Sequence, residues 1–305
     1  MNKNKLIKIV ALSATAVLLA FSGILVSCLM NKKDKGTPDA KPQELEYALS
    51  ADKTYYIVAG VGESKDPVLV IPTEYKEIPV KEIKERAFEG CDFLTSVKVG
   101  ENVTKIGNYA FKDCNKVAEV SLGDSLTQIG DYAFQATALT EVVIPSSVTA
   151  IGGGVFYECL GLKNIVVEQS NASYKSIGGN LYTKDGTELL QYAVGKTETS
   201  FITPTTVTRI GLYAFSYCNL EKITLSENVK NIVFYAFSDC AKLDSVTFGK
   251  GIKNISKYVF ENCKALANIT YQGTVAEWEK VDKSDGWAEG VIAQSVVCED
   301  GNGSI

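Results

Sequence analysis

The sequence predicts a repeat solenoid, a β-rich coil with short helical or 3-10 turns, and three registered columns predict it. Ala87-Phe88 recurs as Ala110-Phe111 and Ala133-Phe134 at intervals of 23 residues, then as Val155-Phe156 after 22. Ala214-Phe215, Ala236-Phe237 and Val259-Phe260 follow at spacings of 22 and 23. An isoleucine stands five residues before each phenylalanine: Ile83, Ile106, Ile129, Ile151, Ile210, Ile232 and Ile255. A cysteine stands three residues after it (Cys91, Cys114, Cys159, Cys218, Cys240, Cys263), and only Thr137 breaks the column. Such a period marks units too small to hold a core alone, which bury a continuous apolar column when stacked.

Within one copy, Leu139, Val142 and Ile144 form a short strand. Alternation places Val142 and Ile144 inward and Val143 outward. A Pro or Gly turn follows, then a second alternating segment, Val148 to Ile151. A Gly-x-Tyr-Ala-Phe-like turn, read as one turn of helix or 3-10, then drops the phenylalanine into the core. The one long gap, 59 residues from Phe156 to Phe215, holds an insert of about 36 beyond one ordinary unit. Inside it, Asn180 to Tyr192 reads as two alternating runs about Asp185-Gly186, a hairpin signal. The insert is placed at 168–204.

Ahead of the repeats lies an address. Lys3, Lys5 and Lys8 precede an uncharged, mostly apolar stretch from Ile9 to Met30. Leu25-Val26-Ser27-Cys28 resembles the lipobox of bacterial lipoproteins, which implies cleavage before Cys28 and acylation of its thiol. A signal-anchor helix that happens to hold a cysteine is the other reading. Residues 1–27 are therefore read as signal peptide and 28–44 as lipidated cysteine plus flexible tether. Residues 45–305 are read as one solenoid, with repeats over 80–271. Acyl chains contribute about 0.8 kcal/mol per buried CH₂, so two or three anchor stably.

The repeat unit resembles the BspA-like (Treponema-type) leucine-rich repeats, most closely in Ile144-Pro-Ser-Ser-Val-Thr-Ala-Ile-Gly. The resemblance spans nearly the whole chain after the tether, and it implies an N-terminal cap at 45–79, a C-terminal cap at 272–305 and an insert that is an elongated coil and not a second domain. It implies a right-handed leucine-rich-repeat coil of about eight or nine turns including caps, with adhesion or protein interaction at a cell surface as the expected role.

Composition narrows the function. The chain has 305 residues, 46% apolar and 22% charged, with net charge −5. Loss of residues 1–27 removes three lysines and no acid, leaving 28 basic and 36 acidic side chains and a charge of −8. That balance disfavours nucleic acid as a partner. There is no histidine, which removes Ser-His-Asp and Cys-His catalysis and His metal sites. No phosphate loop or nucleophile elbow is present, so no enzyme, cofactor or metal is expected. The column cysteines read as buried free thiols acting as small fillers; a Cys263–Cys298 pair is a conceivable exception.

Three surfaces remain. Outward strand positions (Thr95, Ser96, Lys98, Glu119, Glu141, Lys163, Glu221, Lys222, Asp244, Ser245) form an open sheet face of mixed charge. Tyr109, Tyr132, Tyr213, Tyr235 and Tyr258 each precede the Ala/Val-Phe pair and would stack along one ridge. Such a ridge offers either a platform for sugar or peptide or simple packing for stability. Lys81, Lys105, Arg209, Lys230 and Lys253 suggest a weak basic row on the second sheet. The expected function is a membrane-anchored, non-catalytic adhesion or protein-binding scaffold in the bacterial envelope. A glycan binder using the tyrosine ridge and an envelope structural component are the alternatives.

Overall fold

The computed structural model describes residues 44–305. The signal peptide, Cys28 and nearly all of the tether lie outside them.

Each repeat contributes two short strands. Along one side, here the front, the strands include Val68–Val70, Ser96–Lys98, Glu119–Ser121, Glu141–Ile144, Asn164–Val167, Ser200–Ile202, Lys222–Thr224, Ser245–Phe248, Asn268–Tyr271 and Val296–Cys298. They pair in parallel, in three stretches of sheet, and Gly301–Gly303 closes the far edge antiparallel. Strands of mostly two residues, joined by longer ones such as Ile78–Ile83, build the second side and hold the isoleucines in register: Ile83, Ile106, Ile129 and Ile151 on one stretch, Ile210, Ile232 and Ile255 on another. In Glu141–Ile144, Val142 and Ile144 are buried and Val143 is exposed, as alternation requires. The turns number about 11 once cap strands are included, somewhat more than the eight or nine expected.

The repeat turns are not helical. The one helix among the described residues is Val275–Trp278, near the C-terminus, opened by a Thr274–Glu277 capping box. Elsewhere the corner is a run of tight turns with two left-handed residues four apart, such as Tyr109 (φ 57°) and Asp113 (φ 60°). Alternate amides then serve two directions. Ala110, Lys112 and Cys114 donate three residues back within their own coil, while Tyr109, Phe111 and Asp113 donate to Asp131, Ala133 and Gln135 of the next. A helix would spend all these donors within one coil; the observed geometry leaves half of them for stacking.

The phenylalanines stack face to face. Centroid distances are 5.1 Å for Phe88–Phe111, 5.3 Å for Phe111–Phe134, 4.9 Å for Phe215–Phe237 and 5.2 Å for Phe237–Phe260. Each is essentially inaccessible, and burying such a ring contributes about 2–3 kcal/mol. The column is not continuous, however. The core forms two clusters, one ending at Leu181 and the other beginning at Tyr182. The cause is the insert. Its strand Asn180–Thr183 pairs antiparallel with both Tyr174–Ile177 and Glu188–Gln191 and is almost wholly buried. Successive side chains of a strand face opposite ways, so Leu181 joins one half of the core and Tyr182 the other. Tyr192 takes the phenylalanine position of this coil, stacked 5.2 Å from Phe215.

Candidate functional site

The five ridge tyrosines do lie along one line, and all are half-buried. Each adopts a left-handed conformation, with φ between 53° and 60°. This backbone state is costly for a non-glycine residue; at Tyr109, Tyr132 and Tyr258 it aims the amide at a carbonyl of the next coil. Tyr109 stacks on Tyr132 at 5.2 Å, Tyr213 on Tyr235 at 5.2 Å and Tyr235 on Tyr258 at 5.4 Å. The two runs meet edge to face, Tyr132 against Tyr213 at 6.0 Å.

That meeting depends on glycine. Gly154 occupies the ridge position of its coil at φ 61°, and a Cβ there would lie 2.7 Å from the Tyr132 ring. The next coil departs from the pattern at its corner, its Gly195 amide bonding to the Leu162 carbonyl of the coil before. Two tyrosines outside the expected set fill the space: Tyr157 lies 4.5 Å from Tyr213 and 5.5 Å from Tyr217. Reading the column immediately after each phenylalanine, where Tyr157 interrupts Lys, Gln, Ser and Glu, would have flagged it. Burial, then the Tyr217 hydroxyl, pushes the Tyr157 phenol well above its ordinary range; burial, then Tyr132, does the same to Tyr213.

The ends of the ridge are closed by cations. The Arg86 guanidinium sits 4.3 Å from the Tyr109 ring centre and the Lys257 ammonium 4.4 Å from that of Tyr258. The broad faces of these rings are therefore occupied, by one another or by a cation. Edges and hydroxyls are what remains for solvent.

The basic row dissolves. Lys105 pairs with Glu82, and Arg209 with Asn231, so Lys81, Lys230 and Lys253 stand one residue out of line with them. On the front face, Lys98, Glu119, Lys163, Glu221 and Lys222 are exposed, as is Thr95; Ser96, Glu141, Asp244 and Ser245 are half-buried. Some of these link coils: Asn164 donates to Glu141 at 2.7 Å and Asn268 to Asp244 at 3.1 Å. A second outward row went unread in the sequence. Ile202, Thr224, Thr247, Thr270 and Val297 fall in one register across five strands. It carries no charge, and its end residues are 70% and 52% exposed.

The column cysteines are free thiols, and so are Cys298 and Cys263, the pair that the sequence left open. They do more than fill space. Cys114, Cys159, Cys240 and Cys263 donate to the carbonyls of Phe88, Phe134, Phe215 and Phe237 in the preceding coil, at 2.9–3.2 Å. Thr137 makes the analogous bond to Phe134 within its own coil, at 2.9 Å. Among the described residues no cluster of metal-ligating side chains occurs.

A parallel coil of two-stranded rungs with stacked phenylalanines and a registered isoleucine ladder defines a leucine-rich-repeat solenoid. The model of the BspA-type leucine-rich-repeat region matches in six copies over residues 73–186 and 191–281. The chain belongs to that family. Among solved structures, the pneumococcal vaccine antigen PcpA is similar at 24% identity and TM-score 0.66, over 76% of this chain and 62% of that one. This chain thus spans less than two thirds of the length of that structure, and the likeness bears on the fold. A leucine-rich cell surface protein of Faecalibacterium prausnitzii matches at 21% identity over 83% of this chain and 99% of that one, TM-score 0.42. A leucine-rich-repeat protein of T. pallidum matches at 26% over 75% and 80%, TM-score 0.36. No curated protein sequence matches the chain.

Proposed function

We propose that this protein is a non-catalytic scaffold that binds another protein across several coils of its front face, displayed outside the cytoplasm on a lipid anchor at Cys28. The observation that carries the reading is the uncharged row Ile202–Thr224–Thr247–Thr270–Val297. It is β-branched throughout and apolar at both ends, and it is bordered by hydrogen-bonding Ser, Lys and Asn side chains on the parallel row Ser200–Lys222–Ser245–Asn268. An uncharged stripe with exposed apolar ends, flanked by hydrogen-bonding side chains, has few charges to desolvate against another protein. The tyrosine ridge supports a glycan platform less well, since sugars stack on aromatic faces and these faces are already covered. The anchor reading rests on the resemblance of Leu25-Val26-Ser27-Cys28 to a lipobox.

The test is capture of envelope and matrix proteins by the purified chain, alongside a glycan array. Saturable protein capture lost in an Ile202→Glu/Val297→Glu double variant, with a blank array, supports the proposal. Array binding that survives the double variant and fails on ridge substitution overturns it in favour of the glycan reading. Acyl labelling that persists in Cys28→Ser sinks the anchor.

A further inference from the structure

The place where the two halves of the core meet holds a lysine aimed at a buried side-chain amide. Asn180, 2% exposed, begins the partition strand. Its Oδ1 accepts two hydrogen bonds, from the Ala193 amide at 3.0 Å and from Lys196 Nζ at 2.9 Å. Two donors on one atom fix which end of the amide is oxygen. They also polarise the carbonyl, as a pair of oxyanion donors does. The Lys196 ammonium is held over the Tyr192 ring at 5.2 Å and donates also to the Gly178 carbonyl. Its reach is thereby fixed to within one bond of Asn180 Cγ. Tyr182, two residues along the same strand and therefore on the same face as Asn180, has no exposed surface.

We propose that Lys196 and Asn180 condense into an isopeptide bond in the folded protein. The chemistry needs no oxidant, metal or cofactor. Lys196 first loses a proton to solvent or to Glu198, the carboxylate acting on it. Burial lowers the affinity of Nζ for that proton, and the charge of Glu198 opposes the shift. The neutral amine attacks Asn180 Cγ, and the developing oxyanion stays on the Ala193 amide. The Nζ–Cγ bond forms as the Cγ–Nδ2 bond breaks. Nδ2 leaves as ammonia, taking up the proton that Nζ sheds as the new bond forms, passed directly or through solvent. The balance is one amine plus one primary amide, giving one secondary amide plus ammonia. Proximity is the main requirement, and such fixed geometries raise effective concentration by orders of magnitude.

The product would tie the start of the partition strand to the turn beyond Tyr192, closing the hairpin covalently where the stacked core is interrupted. This inference stands apart from the proposed function, since it requires only that the chain fold. The experiment is mass spectrometry of the full chain with Lys196→Arg and Asn180→Ala variants, followed by tryptic digestion. The expected result is a wild-type chain lighter by one ammonia, variants at their sequence masses, and a branched peptide joining Asn180 to Lys196. A wild-type chain at its full sequence mass with both peptides linear overturns the proposal. So does an ammonia loss that persists in Lys196→Arg, which would be cyclisation of an asparagine on its own backbone.

Discussion

The ring of Tyr157 lies 4.5 Å from that of Tyr213, and this contact joins two halves of the molecule whose cores are separate. Tyr157 extends from the last coil of the first half, and Tyr213 from the first full repeat of the second. With Tyr132 and Tyr217 they make an aromatic clasp outside the partition strand. Stacked repeats couple through nearest-neighbour interfaces, so a weakened interface at one place divides the solenoid into two cooperative units. Tyr157→Ala should cost about 2 kcal/mol, less than a fully buried aromatic because the ring is half-exposed. Both tryptophans, Trp278 and Trp287, sit in the second half. Urea unfolding followed by tryptophan fluorescence and by far-ultraviolet circular dichroism should coincide in the wild type and separate in the variant. Coincident curves in both would refute the clasp.

Gly154 tests the same region from the backbone. Its φ of 61° and the 2.7 Å approach to Tyr132 leave no room for a methyl group. Gly154→Ala should destabilise by about 1–3 kcal/mol, combining left-handed strain with overpacking. Gly90→Ala, at φ 71° with nothing near its Cβ position, should show the strain alone and cost less. The difference between the two urea midpoints measures the ring contact.

These features separate what the sequence discloses from what it hides. The phenylalanine, isoleucine and cysteine columns were legible because each repeats at a fixed interval, and parallel stacking turns equal spacing into contact. Tyr192 belongs to the same column but was hidden, since 36 residues separate it from Phe156. The basic row failed for a different reason. Lys81, Lys230 and Lys253 differ by one residue in register from Lys105 and Arg209; all five are exposed, but the offset keeps them from forming one line along the stack. The ridge tyrosines were readable as a line. That their faces are covered, and that Tyr157 and Tyr217 join them, follows from contacts between coils that no local pattern records.

Within a half, the stacked rings should show position dependence. Phe237 lies between Phe215 and Phe260, whereas Phe88 has a single ring partner in the column, Phe111. Phe237→Ala should cost about 3–5 kcal/mol through transfer and cavity terms. Phe88→Ala should cost about 1 kcal/mol less, the worth of one aromatic pair. Equal losses would show that the column contributes by burial alone.

The thiol column makes stability depend on alkaline pH. Burial, then the neighbouring Cys91, pushes the Cys114 thiol from 9.0 up to about 12, and burial raises Cys159 to about 11. The folded state therefore keeps protons that the unfolded chain surrenders near pH 9. With folded values raised, the stabilisation is fully present below pH 9 and is lost as pH climbs from there through about 11 for Cys159 and about 12 for Cys114. For Cys114 the loss between about pH 8 and about pH 10.5 should be on the order of 2 kcal/mol. Urea midpoints across that range should fall in the wild type and fall less steeply in Cys114→Ala, whose midpoint at neutral pH will itself be lower because the Phe88 carbonyl loses a donor. If the two slopes are the same, the thiol proton at Cys114 is not part of what holds the coils together.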